Sequence, residues 1–497
     1  MDLAFLSAVE ISRQVRARQV SAVEVTRHFL DRAARLDARL GCFLLLDPEG
    51  ALAQAAEVDA ACARGEDLPL CGVPIGIKDI LCTRGLTTTA GSRILAGFVP
   101  PYDATCVERL RRAGGVVLGK LNLDEFAMGS SGENSAFGPT RNPWDPSRVP
   151  GGSSSGSAAA VSAGLCALSL GTDTGGSIRQ PAALCGVSGL KPTYGRVSRH
   201  GLIAFASSLD QAGPIARSAE DLAVCLGVIA GPDPLDSTCL PEPVPDYLSA
   251  CAASPAGLRI GVPRQYFSEG LEPAVERCVR QALAVLCAAG AVAVDVSLPL
   301  TPHTVSTYYL IATAEASSNL ARYDGVRYGL RAAGSASLTE MYERTRAAGF
   351  GAEVRRRILL GTYALRSGYY DAYYRRASQV RRLIRDELLS ALARCDLILS
   401  PTTPGVAFRL GERTEDPLAM YLSDIYTTSA SLAGLPAVSI PCGLAPPADD
   451  PDGPLLPVGL QLIGPPLGES VLLRAAAAFQ RLTDWHVRRP PAAMEIP

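Results

Sequence analysis

Two Gly-Gly-Ser clusters, Gly151-Gly152-Ser153 and Gly175-Gly176-Ser177, flank an Ala-rich segment and an apolar run in the stretch PGGSSSGSAAAVSAGLCALSLGTDTGGSIR. Glycine- and serine-rich pieces are usually solvated linkers, but the residues between these two clusters are too apolar for that. They belong in a core, which fixes both turns to it. Glycine lets the backbone approach other groups closely. A hydroxyl on such a turn is open to a substrate, and amides of the same turn can point at one spot. Acyl transfer needs that combination of nucleophile and oxyanion hole.

Other glycine-rich sites do not fit. A phosphate loop requires G-x-x-x-x-G-K-[ST], and no lysine follows these glycines. No G-x-G-x-x-G occurs in this stretch. Gly152-Ser153-Ser154-Ser155-Gly156 does match G-x-S-x-G, the nucleophile elbow of α/β-hydrolases. That elbow follows a strand, and Asn142-Pro143-Trp144-Asp145-Pro146 carries two prolines that remove ladder donors. It also needs a later histidine, and His200, His303 and His486 sit in no supporting context.

A serine nucleophile at neutral pH needs a base, and without histidine a desolvated lysine can serve, because burial disfavours its charged form. Lys78 closes the apolar run Leu70-Cys71-Gly72-Val73-Pro74-Ile75-Gly76-Ile77 and precedes Asp79, Ile80 and Leu81, so the sequence predicts a lysine that enters the core. Four scattered histidines and fourteen cysteines without a C-x-x-C pair give no metal constellation and no disulfide framework. The N-terminus Met1-Asp2-Leu3-Ala4 lacks a signal-peptide pattern, and no apolar run is long enough to span a membrane. A reduced, cytoplasmic, metal-free protein is expected. With 47 basic and 49 acidic residues, the net charge of −2 offers no basic stripe for direct nucleic-acid binding.

Strand and helix signals alternate along most of the chain. Residues 1–65 read as helical, with a capping box at Ser21-Ala22-Val23-Glu24 opening a helix to Leu36 and a second, Ala-rich helix over 48–64. A strand ending at Lys78 is expected within Leu70–Asp79, Cys106–Leu118 reads helix then strand, and further strands are expected at Cys166–Leu170, Leu258–Val262, Ala291–Val296, Leu397–Ser400, Ala437–Pro441 and Val458–Ile463. Helices are expected at Ala158–Gly164, after Ser177, at Pro273–Ala289 and Glu469–Gln480, and through most of 301–394. The fold class is α/β: an open mixed sheet covered by helices, with an N-terminal helical arm (1–65), one main domain (66–497) and a helical insertion at about 301–394.

Together, Gly76-Ile77-Lys78-Asp79, Gly151-Gly152-Ser153-Ser154 and Gly171-Thr172-Asp173-Thr174-Gly175-Gly176-Ser177-Ile178-Arg179 resemble the amidase signature family. The resemblance implies a Ser–cis-Ser–Lys triad at Ser177, Ser153 and Lys78, with Ser177 as nucleophile and Ser153, on a cis peptide, relaying the proton to Lys78. It places the oxyanion hole at the amides of Thr174, Gly175, Gly176 and Ser177. Thr140–Trp144, Gly189–Val197 and Ser207–Gln211 are similar to further family landmarks, so the likeness covers nearly the whole chain. Ser155 departs from the pattern, since glycine is common after the paired serines, and it is not expected to replace Ser153.

Thr307–Leu310, Glu353–Gly361 and Tyr369–Tyr374 resemble one branch of the family, the A-subunits of bacterial glutamyl-tRNA(Gln)/aspartyl-tRNA(Asn) amidotransferases. The branch implies glutamine as substrate, its α-carboxylate on Arg357 and its α-ammonium on Asp424, with Tyr308 nearby. It implies partner subunits B and C in a heterotrimer, misacylated tRNA met through the complex, no cofactor in this chain, and ATP and Mg²⁺ used by the partner. The residues themselves leave alternatives open. Arg357 lies in an arginine run that would normally face solvent, and Asp424 could be a turn residue. Asp173 and Arg179 are expected to brace the glycine turn, and Lys191 to cap or pair. A stand-alone amidase for small amides and a non-catalytic scaffold are the rival functions.

Overall fold

Pro74–Lys78 is buried along its whole length, as an apolar run between two neighbouring strands must be. It is the second of eleven strands in the computed structural model, which describes residues 3–268 and 270–491. Met1 and Asp2, at the start of the expected helical arm, and 492–497, at the end of the expected domain, lie outside the described residues. The strands are β1 Phe43–Leu46, β2 Pro74–Lys78, β3 Val116–Leu121, β4 Leu168–Asp173, β5 Ser188–Lys191 and β6 Gln211–Ala216. They continue with β7 Arg259–Pro263, β8 Val292–Val296, β9 Leu397–Pro401, β10 Ala437–Ala445 and β11 Leu456–Ile463.

All eleven form one sheet in the order β1-β3-β2-β4-β6-β5-β10-β11-β9-β7-β8. Two parallel trios, β3-β2-β4 and β9-β7-β8, are joined through the antiparallel block β6-β5-β10-β11. The sheet is therefore mixed, as expected. Because β2 and β4 run parallel, their last residues, Lys78 and Asp173, emerge at one edge of the sheet. Ligand sites of open α/β sheets sit at such carboxyl ends.

The capping box at Ser21 and Glu24 is formed in both directions, and its helix runs on to Leu40. The N-terminal segment is not wholly helical, however. Phe43–Leu46 pairs antiparallel with β3 at the sheet edge. Four consecutive apolar residues carry no helical period, and Asp47, which accepts from the Gly50 amide, starts the next helix at Pro48. Strands β5 and β6 fall in segments without a strand signal. Gly213 and Pro214 read as breakers, yet β6 is an interior strand between β4 and β5. The insertion contains the helices Thr304–Asn319, Leu338–Gly349, Ala352–Leu365 and Arg376–Leu392, with a π-helical turn at Asp371–Arg375. No helix among the described residues is long and apolar enough to cross a membrane.

Candidate active site

Lys78 ends β2 with its side chain fully buried. Its Nζ lies 2.7 Å from Ser153 Oγ, 2.9 Å from Ser154 Oγ and 2.8 Å from Thr172 Oγ1. Burial pushes the Lys78 ammonium down to about 7, against the pull of the Asp124, Asp173 and Asp210 carboxylates. A neutral lysine facing three hydroxyls can accept a proton and return it. The Gly152–Ser153 peptide is cis. The Gly152 amide donates to Gln180 Oε1 at 2.9 Å, and the Ser153 carbonyl accepts from the Asp124 amide at 3.2 Å. Ser155 opens the helix Ser155–Ser162 and meets Thr140 Oγ1 at 3.2 Å, away from the lysine contacts.

The second glycine turn leaves β4 directly. Ser154 N donates to Ser177 O at 3.1 Å, which ties the two serine clusters together. Ser153 is fully buried while Ser177 keeps 7% of its surface exposed, so of the two serines Ser177 is the one that reaches solvent. Among the described residues, the amides of Gly175, Gly176 and Ser177 donate to no protein acceptor. They remain free for an oxyanion. A side chain at Gly175 would overlap the Tyr308 ring, and one at Gly176 would overlap Thr427, so neither position admits anything larger than glycine. Thr174 Oγ1 donates to Asp210 at 2.7 Å and anchors the start of the turn. The bracing expected of Asp173 and Arg179 is present: Arg179 donates to both Asp173 oxygens, at 3.0 and 2.9 Å, and also to Thr427 O and Gln461 Oε1. Lys191 is buried and donates to the Pro192 carbonyl at 2.9 Å.

Tyr308, Arg357 and Asp424 all lie in the interior. Arg357 does not follow its arginine run to the surface. Its Nε donates to Glu353 Oε1 at 2.7 Å, and its guanidinium carbon stands 5.2 Å from the Tyr309 ring centre and 5.5 Å from that of Tyr421. Burial opposes its charge, but the Tyr309 phenol and the Glu353 carboxylate hold it above the ordinary arginine range. Asp424 accepts from Ser130 Oγ at 2.5 Å. Burial pushes its carboxyl up to about 7, with Ser130 and Arg357 pulling it back. A cation and an acid thus lie within electrostatic reach of each other and of Tyr308, whose ring borders Gly175. That arrangement matches the two charges of an α-amino acid.

Residues 24–473 match the family described as Amidase. The chain belongs to the amidase family. The glutamyl-tRNA(Gln) amidotransferase A-subunit of Chloroflexus aggregans is 58% identical over 493 residues, covering 99% of both chains. The crystal structure of the glutamyl-tRNA(Gln) amidotransferase A-subunit of Thermotoga maritima matches with a TM-score of 0.79 at 42% identity, over 97% of this chain and 95% of that one. The native peptide amidase of Stenotrophomonas maltophilia matches with a TM-score of 0.80 at 35% identity, over 98% of each.

In this amidase several polar residues complete the site without having been singled out from sequence. Ser154 and Thr172 share the Lys78 ammonium with Ser153. Gln180 holds the Gly152 amide with its oxygen and donates its nitrogen to Ser130 O at 2.8 Å, and Ser130 in turn binds Asp424. One hydrogen-bonded chain therefore joins the first serine turn to the buried Asp424. Gln180 had a weak signal, a polar side chain next to Arg179 at the start of an otherwise apolar helical segment; Ser130 had none.

Proposed function

We propose that this amidase is the glutamine-hydrolysing subunit of a tRNA-dependent amidotransferase. The observation that carries the reading is the buried Arg357 and Asp424 pair beside Tyr308, next to a turn with three free amides. Ser177 Oγ attacks the side-chain amide carbon of glutamine. Its proton passes through Ser153 to neutral Lys78, while the amides of the Thr174–Ser177 turn receive the oxyanion. Collapse of the tetrahedral adduct breaks the C–N bond, and the proton held on Lys78 returns through Ser153 to the leaving nitrogen. Water then cleaves the glutamyl ester by the reverse relay and gives glutamate. Arg357 holds the α-carboxylate and Asp424 the α-ammonium, so that neither charge is buried unpaired.

The likeness to amidotransferase A-subunits supports an assembly with subunits B and C. The ammonia released here amidates Glu-tRNA(Gln) or Asp-tRNA(Asn) at the partner, which uses ATP and Mg²⁺; this chain brings no cofactor of its own. Ser177→Ala tests the reading. Glutamine-dependent amidation by the complex is expected to vanish while amidation from added ammonium continues. Near wild-type glutamine turnover in that variant rejects the assignment, and full activity of the isolated chain on simple amides favours a stand-alone amidase.

A further inference from the structure

Glu353 and Arg357 stand four residues apart on the helix Ala352–Leu365, so their side chains share one face. Arg357 Nε is committed to Glu353 Oε1 at 2.7 Å. The same carboxylate oxygen accepts from the Tyr421 hydroxyl at 3.0 Å, and its other oxygen pairs with Arg356. Glu353 is therefore fixed from a second segment, the helix Pro417–Leu422. The rings of Tyr309 and Tyr421 are stacked 3.8 Å apart and, with Phe205, wall the guanidinium. Among the described residues neither Nη atom of Arg357 donates to a protein acceptor.

A guanidinium can grip a carboxylate through its Nε/Nη edge or its Nη1/Nη2 edge. Here the first edge is occupied and the aromatic walls stop the plane from turning. We infer that Glu353 is a positioning residue: it leaves only the Nη1/Nη2 edge of Arg357 open and thereby sets the direction from which an amino-acid substrate presents its α-carboxylate. The inference rests on reading Arg357 as the carboxylate-binding residue.

Steady-state glutaminase kinetics of the assembled complex test it. Glu353→Gln keeps the shape and one acceptor oxygen but gives up the charge that orients Arg357. It should raise KM for glutamine about tenfold with kcat within about twofold, the pattern of lost substrate binding. Glu353→Asp should recover part of that loss. Combined with Arg357→Ala, Glu353→Gln should add nothing to the effect of Arg357→Ala alone, since the two act as a unit. Tyr421→Phe, which removes one donor to Glu353 and no charge, should raise KM by about threefold and serves if Glu353→Gln melts early. If Arg357→Ala raises KM but Glu353→Gln and Tyr421→Phe do not, the positioning role is wrong. If Arg357→Ala itself leaves glutamine kinetics unchanged, the carboxylate reading beneath it fails. Equal losses in kcat and kcat/KM for Glu353→Gln also overturn the proposal.

Discussion

Lys78 and Lys120 lie near the ends of neighbouring parallel strands, and both side chains are fully buried. Ile77 is registered with Lys120 and Lys78 with Leu121, so the two ammonium groups leave on opposite faces of the sheet. On one face Lys78 meets Ser153, Ser154 and Thr172, and among the described residues no carboxylate pairs with it. On the other, Lys120 Nζ lies 3.2 Å from Asp79 and donates to Leu81 O and Thr88 Oγ1 at 2.8 and 2.7 Å. Burial lowers the pKa of both, but the Asp79 charge opposes that shift for Lys120. A lysine among hydroxyls can lose its proton and remain hydrogen-bonded as an acceptor; one beside a carboxylate loses an ion pair with its proton. Lys191 supplies a third point. Burial, aided by the Arg179 charge, pushes it to about 7 as well, yet it donates to a backbone carbonyl and, among the described residues, meets no hydroxyl to trade a proton with. The neighbouring groups, more than the shifted pKa, set apart the lysine proposed as a base from those that only brace.

The largest test of this contrast is at Lys78. Lys78→Ala should lower kcat/KM for glutamine by at least about a thousandfold, and Lys78→Arg should do no better, because arginine stays protonated. Activity within tenfold of wild type in Lys78→Arg would erase the distinction. Lys120 should fail differently. Removing one member of a buried pair costs about 3–5 kcal/mol of stability, so Lys120→Met should show a much lower denaturation midpoint while the folded fraction keeps its kcat. Adding Asp79→Asn should recover much of that stability, and chemical denaturation of both variants beside the wild type measures it.

The smallest effect is in the pH profile. The proposed relay needs Lys78 neutral, and burial brings its pKa down to about 7. The proposed contact with the α-ammonium needs Asp424 ionised, and burial brings its pKa up to about 7. Both working forms appear as pH rises through that value, so log kcat/KM for glutamine should climb with a slope approaching two below it and level off above. Asp424→Asn should reduce the slope to one. A profile flat across this range would mean that neither group titrates in the free enzyme.

The glycine clusters and Lys78 were legible because their demands are local: small residues at tight turns, and a cation in an apolar run. The open α/β sheet followed from alternating strand and helix signals; its antiparallel block was expected from the family resemblance, since alternation alone implies parallel pairing. Strand β1 escaped because Phe43–Leu46 has no period, and β6 because Gly213 and Pro214 look like breakers even though neighbours on both sides satisfy the strand. The depth of Arg357 could not be read from its neighbours Arg355 and Arg356. It turns inward because Glu353, Tyr309 and Tyr421 receive it, and Tyr309 and Tyr421 arrive from distant parts of the chain. Ser130 is the extreme case: its role depends on Asp424, 294 positions away.

Arg179 makes that dependence on distance a matter of timing. Its guanidinium is held by Asp173, six residues before it, but also by the Thr427 carbonyl and by Gln461, 282 positions further on. During synthesis the serine turns emerge from the ribosome long before those late anchors exist. An unfinished chain carries both serine turns but not the late residues that hold Arg179 beside them. On the proposed function, a chain cut short before Gln461 is expected to hydrolyse glutamine poorly, because Arg179 has lost one of the anchors that brace the second glycine turn.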